Sequence, residues 1–180
     1  SMSNPSHLRR AGILLVVILI LSITLALGLR KTVTLTVDGQ SNLVTTYAFK
    51  VGELLYSMDI LLSPLDELSP SQDTWLKNGD KITLVHAIPV QILSDGKLTS
   101  LYSADRTPSS LLTQAGVIAL TGDQILSNGQ AIDPSLPFPT DIKSLSLQII
   151  PLVGFTFTDG SKRSDLTSTA QTLWSALWAA

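Results

Sequence analysis

The chain has 180 residues, 44% hydrophobic and 14% charged, with a formal net charge of -2 and a mean hydropathy of +0.34. It has no cysteine, which excludes disulfides, thiolate zinc sites and cysteine nucleophiles together, and its two histidines, His7 and His86, are too few for a histidine-rich metal site. All fourteen acidic residues lie after Lys31, where they outnumber the bases, so the basic footprint a nucleic-acid binder needs is absent.

The first element in chain order is Ala11–Leu29, a nineteen-residue stretch without a charge that supplies nearly all of the excess hydropathy. As a helix it spans about 28 Å, enough for a hydrocarbon core. Arg9 and Arg10 precede it while Arg30 and Lys31 follow it, so counting positive charges gives a tie in orientation. With so little chain ahead of it, the simplest expectation is a signal-anchor. Residues 1–10 would form a cytoplasmic tail, 11–29 a single transmembrane helix, and the bulk would be extracytoplasmic. A cleaved signal peptide, with Ala26-Leu27-Gly28 as the cleavage site, is the rival reading and makes the chain secreted. The apolar run exceeds the roughly 7–15 residues of a signal core, which favours the uncleaved anchor.

After the anchor the chain repeats. Val33, Leu35 and Val37 alternate with Thr32, Thr34 and Thr36 and lead into Asp38-Gly39; Val90 and Ile92 lead into Asp95-Gly96, and Phe155 and Phe157 into Asp159-Gly160. Asp-Gly between β-prone runs signals a tight hairpin, which also accounts for the three aspartates without invoking catalysis. Downstream, Val51, Leu54, Leu55 and Met58 stand at i, i+3, i+4 and i+7, one face of an amphipathic helix. Pro108, Leu111, Leu112 and Ala115 repeat that stripe, with Thr107-Pro108 as N-cap and first helical position, and Leu173, Ala176, Leu177 and Ala180 repeat it again. Closing strands follow at Ile82–His86 and at Leu145–Ile149, the second after an insertion placed at Pro134–Pro139. A hairpin, a helix across it and a returning strand describe an α+β β-grasp unit. The expected organisation is therefore repeat 1 over 31–88, repeat 2 over 89–152 and a truncated repeat 3 over 153–180. The unfinished third copy and the Ser before Met2 suggest an N-terminal piece of a longer protein.

These residues resemble the G5-linked ubiquitin-like domain, found in tandem in bacterial envelope proteins such as the resuscitation-promoting factors and related wall-remodelling proteins. The resemblance is carried by Val33–Gly39, Val44-Thr45-Thr46, Val51-Gly52-Glu53-Leu54-Leu55, Asp66, Ser69-Pro70, Leu76, Asn78-Gly79 and Ile82–Ala87. Asp95-Gly96, Leu111-Leu112, Ala115-Gly116-Val117 and Asn128-Gly129 carry it in the second copy, and Thr167–Ala170 and Leu173 in the third. His86 stands where the family usually has Arg, and Met58-Asp59 where it has Ala-Gly at the helix end. The resemblance implies a membrane-tethered, wall-facing stalk that often precedes a G5 domain and a muralytic domain, with no catalytic role for the ubiquitin-like units themselves.

Sharper chemical readings are weak. Ser94-Asp95-Gly96-Lys97 matches the S-x-x-K nucleophile box, but the companion S-D-N and K-T-G motifs do not occur. His86 reads as a hydrogen-bonded structural residue at the core-facing end of a strand. Trp75 in its loop, and Pro137 and Phe138 in the proline-rich insertion, are the candidate interaction residues. No catalytic residue, metal or cofactor is expected. The expected function is a non-catalytic, membrane-tethered spacer or interaction module of the cell envelope. Its expected partners are the membrane through Ala11–Leu29, peptidoglycan or wall proteins, and C-terminal domains of the same parent chain, with no nucleic acid. The alternative is the leader of a peptidoglycan-cleaving enzyme whose catalytic domain lies beyond residue 180.

Overall fold

A computed structural model describes the backbone of residues 5–159 and 162–169, with side chains described from 7 to 154. Helix α1 (Pro5–Leu29) begins upstream of the expected span, with Pro5 in its first turn where a missing N–H costs nothing. Its stretch His7–Leu29 is long and apolar enough to cross a membrane and is not buried against any described residue. The hydroxyls of Ser22 and Thr24 donate to the carbonyls of Ile18 and Ile20, so the polar side chains inside the apolar run are satisfied within the helix itself.

The described residues form two compact units: those up to 36, with 41–61 and 68–83, make unit 1, and 37–40, 62–67 and those from 84 on make unit 2. The first sheet is built from β1 (Lys31–Val37), β2 (Gln40–Thr46), β3 (Glu67–Ser69) and β4 (Lys81–Val85), in the order β2-β1-β4-β3. Asp38 and Gly39 both adopt left-handed backbone, with φ 48° and 84°, as a two-residue turn matched to the strand twist requires. The Thr34 amide donates to the Asp80 carbonyl and the Asp38 amide to that of Leu84, so β1 and β4 run in the same direction. Helix α2 (Val51–Ser57) buries Val51, Leu54 and Leu55, which with Val33, Leu35, Leu76 and Ile82 make up the buried apolar set of unit 1. Met58, expected as the fourth member of the stripe, is instead the C-cap and is 40% exposed. The helix stops there because Asp59 turns left-handed at φ 57°, which lets the Ile60 amide reach the Leu55 carbonyl at 3.0 Å.

The second sheet comprises β5 (Ile88–Ser94), β6 (Lys97–Ser103), β7 (Gln124–Ser127), β8 (Gln130–Ala131) and β9 (Leu145–Ile150), in the order β6-β5-β9-β7-β8. Strands β5 and β9 are parallel, with Val90 opposite Leu145 and Ser94 opposite Ile149. Helix α3 (Pro108–Gln114) buries Pro108, Leu111 and Leu112 against Ile88, Val90, Ile92, Leu145 and Leu147. Thr107 stands at the expected N-cap, but its side chain makes no capping bond; Asp105 takes that role instead. The small β7–β8 hairpin, turning at Asn128-Gly129 with φ 50° and 78°, was not foreseen.

Both sheets are mixed and each has a short helix connecting hairpin to returning strand, so the α+β, ubiquitin-like architecture stands. Beyond β9, β10 (Leu152–Asp159) pairs with β11 (Lys162–Thr169) in an antiparallel hairpin. The helix expected at Leu173–Ala180 lies outside the described residues.

Candidate functional site

Two sets of side chains stand out, one in each unit. In unit 2, Asp38 Oδ1 accepts the His86 amide at 2.9 Å, and Asp38 Oδ2 lies 3.0 Å from His86 Nδ1 and 3.6 Å from Lys143 Nζ. His86 is positioned by the end of β4, one residue past the strand, and its ring remains partly exposed rather than core-facing. Arg106 is 4% exposed and is held by carbonyls: its Nη1 donates to Ser103 and Ala104, and its Nη2 to His86 and Thr140. Asp66 adds a further tie, accepting the Ala87 amide on one oxygen and the Ser63 amide on the other.

Burial pushes the Asp38 carboxyl up, but the His86 amide, the His86 ring and Lys143 outweigh it, so the group titrates below its ordinary value. Asp105 behaves likewise. Burial raises it, and the Ser110 hydroxyl with the amides of Thr107 and Arg106 brings it below the usual carboxylate range. For Arg106 burial lowers the guanidinium, and the charges of Asp38 and Asp105 only partly restore it. An Asp–His pair also occurs in nucleophilic triads, where the second imidazole nitrogen meets a hydroxyl or thiol. No hydroxyl among the described residues hydrogen-bonds that nitrogen. The guanidinium spends its terminal donors on main-chain carbonyls, as a brace for irregular backbone does. Among the described residues no three His, Asp or Glu side chains gather to hold a metal ion. Ser94 and Lys97 face each other across the Asp95-Gly96 turn, so the S-x-x-K box opens no helix here.

In unit 1 the set is aromatic. Gly52, in the first turn of α2, donates to the Gln72 carbonyl at 2.9 Å, and a Cβ there would sit 3.2 Å from that oxygen. This close approach carries the loop past the helix start and pairs Trp75 with Lys50 as an antiparallel bridge. Trp75 is 63% exposed and meets Phe49 edge-to-face, with ring centroids 6.2 Å apart. Lys50 Nζ lies 5.5 Å from the Trp75 ring, and Lys31 Nζ lies 5.0 Å from the Phe49 ring. Glu53 does not neutralise this patch through a lysine side chain: its carboxylate accepts the amides of Phe49 and Lys50.

Of the three residues singled out by sequence, Trp75 lies in unit 1, and Pro137 and Phe138 lie in unit 2. Pro137 is exposed, whereas Phe138 packs at the margin of the unit 2 core and donates its amide to the Arg106 carbonyl at 2.9 Å. The sequence reading missed Phe49, Lys50 and Lys31 as neighbours of Trp75, and missed Arg106 altogether. For the first group a local signal existed: Phe49-Lys50 immediately precedes the helix whose start the loop must cross. Arg106 has no such signal, because its carbonyl partners come from separate segments.

Comparison with known proteins agrees with this geometry. Residues 33–73 match the family model of the G5-linked-Ubiquitin-like domain, which covers most of the first repeat. Over 145 residues the chain is 27% identical to YabE of Bacillus subtilis (strain 168), named as a candidate cell wall shaping protein. The alignment takes in 80% of this chain and 33% of YabE, so the chain spans about a third of that relative's length.

Proposed function

We propose that this chain is a membrane-anchored, non-catalytic stalk of ubiquitin-like units that acts as a spacer or interaction module in the bacterial cell envelope. The observation that carries the reading is the direct passage from an apolar, uncovered helix into β-grasp units whose polar side chains are engaged in holding their own backbone. The likeness to a wall-shaping candidate supports the compartment.

The reading is tested by incubating the purified chain with insoluble peptidoglycan. No soluble muropeptide should be released above a heat-treated control, and release would move the chain to the enzyme class. Membrane retention is tested separately: the uncleaved anchor keeps the full-length chain in the carbonate-resistant pellet, whereas a cleaved signal leaves a shortened chain in the supernatant.

A further inference from the structure

The end of unit 1 that carries Lys31 also carries its exposed aromatic patch, and that end lies next to the apolar helix in the chain. Only Arg30 separates Leu29, the last residue of α1, from Lys31, the first of β1. Two residues reach at most about 7 Å. The polar layer on each side of a bilayer is itself roughly 5–7 Å thick. If α1 spans, Lys31 therefore starts inside or at the edge of the headgroup layer. The β1–β2 hairpin turns at Asp38-Gly39, at the other end of the strand, so the segment following β2 returns to the membrane end. The contact of Lys31 Nζ with the Ala48 carbonyl, at 3.0 Å, records that return. Phe49 and Trp75 follow within a ring contact of each other.

We propose that Phe49 and Trp75, flanked by Lys31 and Lys50, form a lipid-docking face that seats unit 1 on the headgroups of an anionic leaflet; this rests on the uncleaved-anchor reading. The chemistry fits that one occupant. Trp and other amphipathic aromatics settle at the membrane–water interface, and Lys side chains reach from there to lipid phosphate. Phe49 and Trp75 are 46% and 63% exposed, a cost in water that the interface would remove. Arg30, Lys31 and Lys50 supply the positive charge that anionic phosphates would meet, while Glu53 and Asp80 turn their carboxylates to backbone amides of Phe49 and Lys77. Asp73, two residues before Trp75, is the remaining acid of this loop, and it is exposed.

The experiment uses the full chain with Trp174→Phe and Trp178→Phe, which leaves Trp75 as the single tryptophan. It is reconstituted in nanodiscs of phosphatidylcholine and phosphatidylglycerol carrying a nitroxide-labelled headgroup. Co-elution with the discs reads the anchor alone, and failure to co-elute removes the reading on which the proposal rests. In co-eluting discs, lipid nitroxide should quench Trp75 at least twofold, and aqueous iodide should quench it less than a free tryptophan amide. The double variant Lys31→Gln, Lys50→Gln, with an unchanged circular dichroism spectrum, should lose most of the nitroxide quenching. Co-elution without nitroxide quenching, or with full iodide access, overturns the docking face while leaving the anchor intact. Release of Trp75 from the nitroxide by soluble peptidoglycan fragments would also overturn it, assigning the patch to wall glycan instead.

Discussion

Asp105 organises the start of α3 from outside the helix. One oxygen accepts the Thr107 amide at 2.8 Å; the other takes the Ser110 hydroxyl and, at 3.1 Å, the Gln114 side-chain amide. Because the folded carboxyl titrates below its unfolded value, its contribution is fully present above that unfolded value, near pH 4, and is lost as pH falls through the folded one. Asp105→Asn keeps an acceptor for Thr107 but removes the charge. It should cost about 1–2 kcal/mol at neutral pH and nothing in strong acid. Calorimetric melting temperatures from pH 7 to pH 2 should therefore begin to approach one another near pH 4 and meet only as pH falls through the lower, folded value. Parallel curves would show that the carboxylate's charge is irrelevant. Thr107-Pro108 made the helix start legible in the sequence, yet the residue that does the capping lies two positions earlier, where a side chain's reach matters more than the preference of one site.

Helices α2 and α3 end in the same way, with two amides reaching back over the last turn. Ile60 and Val117 donate to Leu55 and Leu112, while Asp59 and Gly116 donate to Tyr56 and Thr113. Gly116 holds the left-handed position at φ 69°, and Asp59 holds it at φ 57° with a Cβ that this conformation resists. Asp59→Gly should accordingly stabilise the chain by about 0.5–1 kcal/mol, read as a shift of a few degrees in the thermal midpoint. A lower midpoint would mean that Asp59 has compensating contacts. Elements set by neighbouring residues were readable: the Asp-Gly turns, the apolar stripes and the alternating closing strands. The stripe overshot at Met58 because periodicity carries no information about where the backbone turns left-handed. The β7–β8 hairpin escaped because its second strand has only two residues, Gln130-Ala131, too few to show alternation.

At the scale of the whole molecule, composition alone separated an apolar leader from a near-neutral remainder, and the structure keeps that division. It could not show the polar centre of unit 2, since Asp38, His86 and Arg106 are far apart in sequence and meet only once the strands pair. The leader can be tested directly. Ile18→Arg places a charge at mid-span, at an insertion cost of about 2.5–3.5 kcal/mol. The variant should leave the carbonate-resistant pellet in large part, and unchanged retention would mean that α1 does not cross the bilayer. The parallel neighbours β1 with β4, and β5 with β9, have a mechanical consequence. In each sheet the entering and returning strands lie side by side and point the same way. Tension drawn along the chain through such a pair slides one strand lengthwise past the other, so the hydrogen bonds of the ladder share the load and must yield together. A hairpin pulled apart at its open end loses its bonds one by one. A chain tethered in lipid and strained from the wall would therefore bear force in its stronger direction.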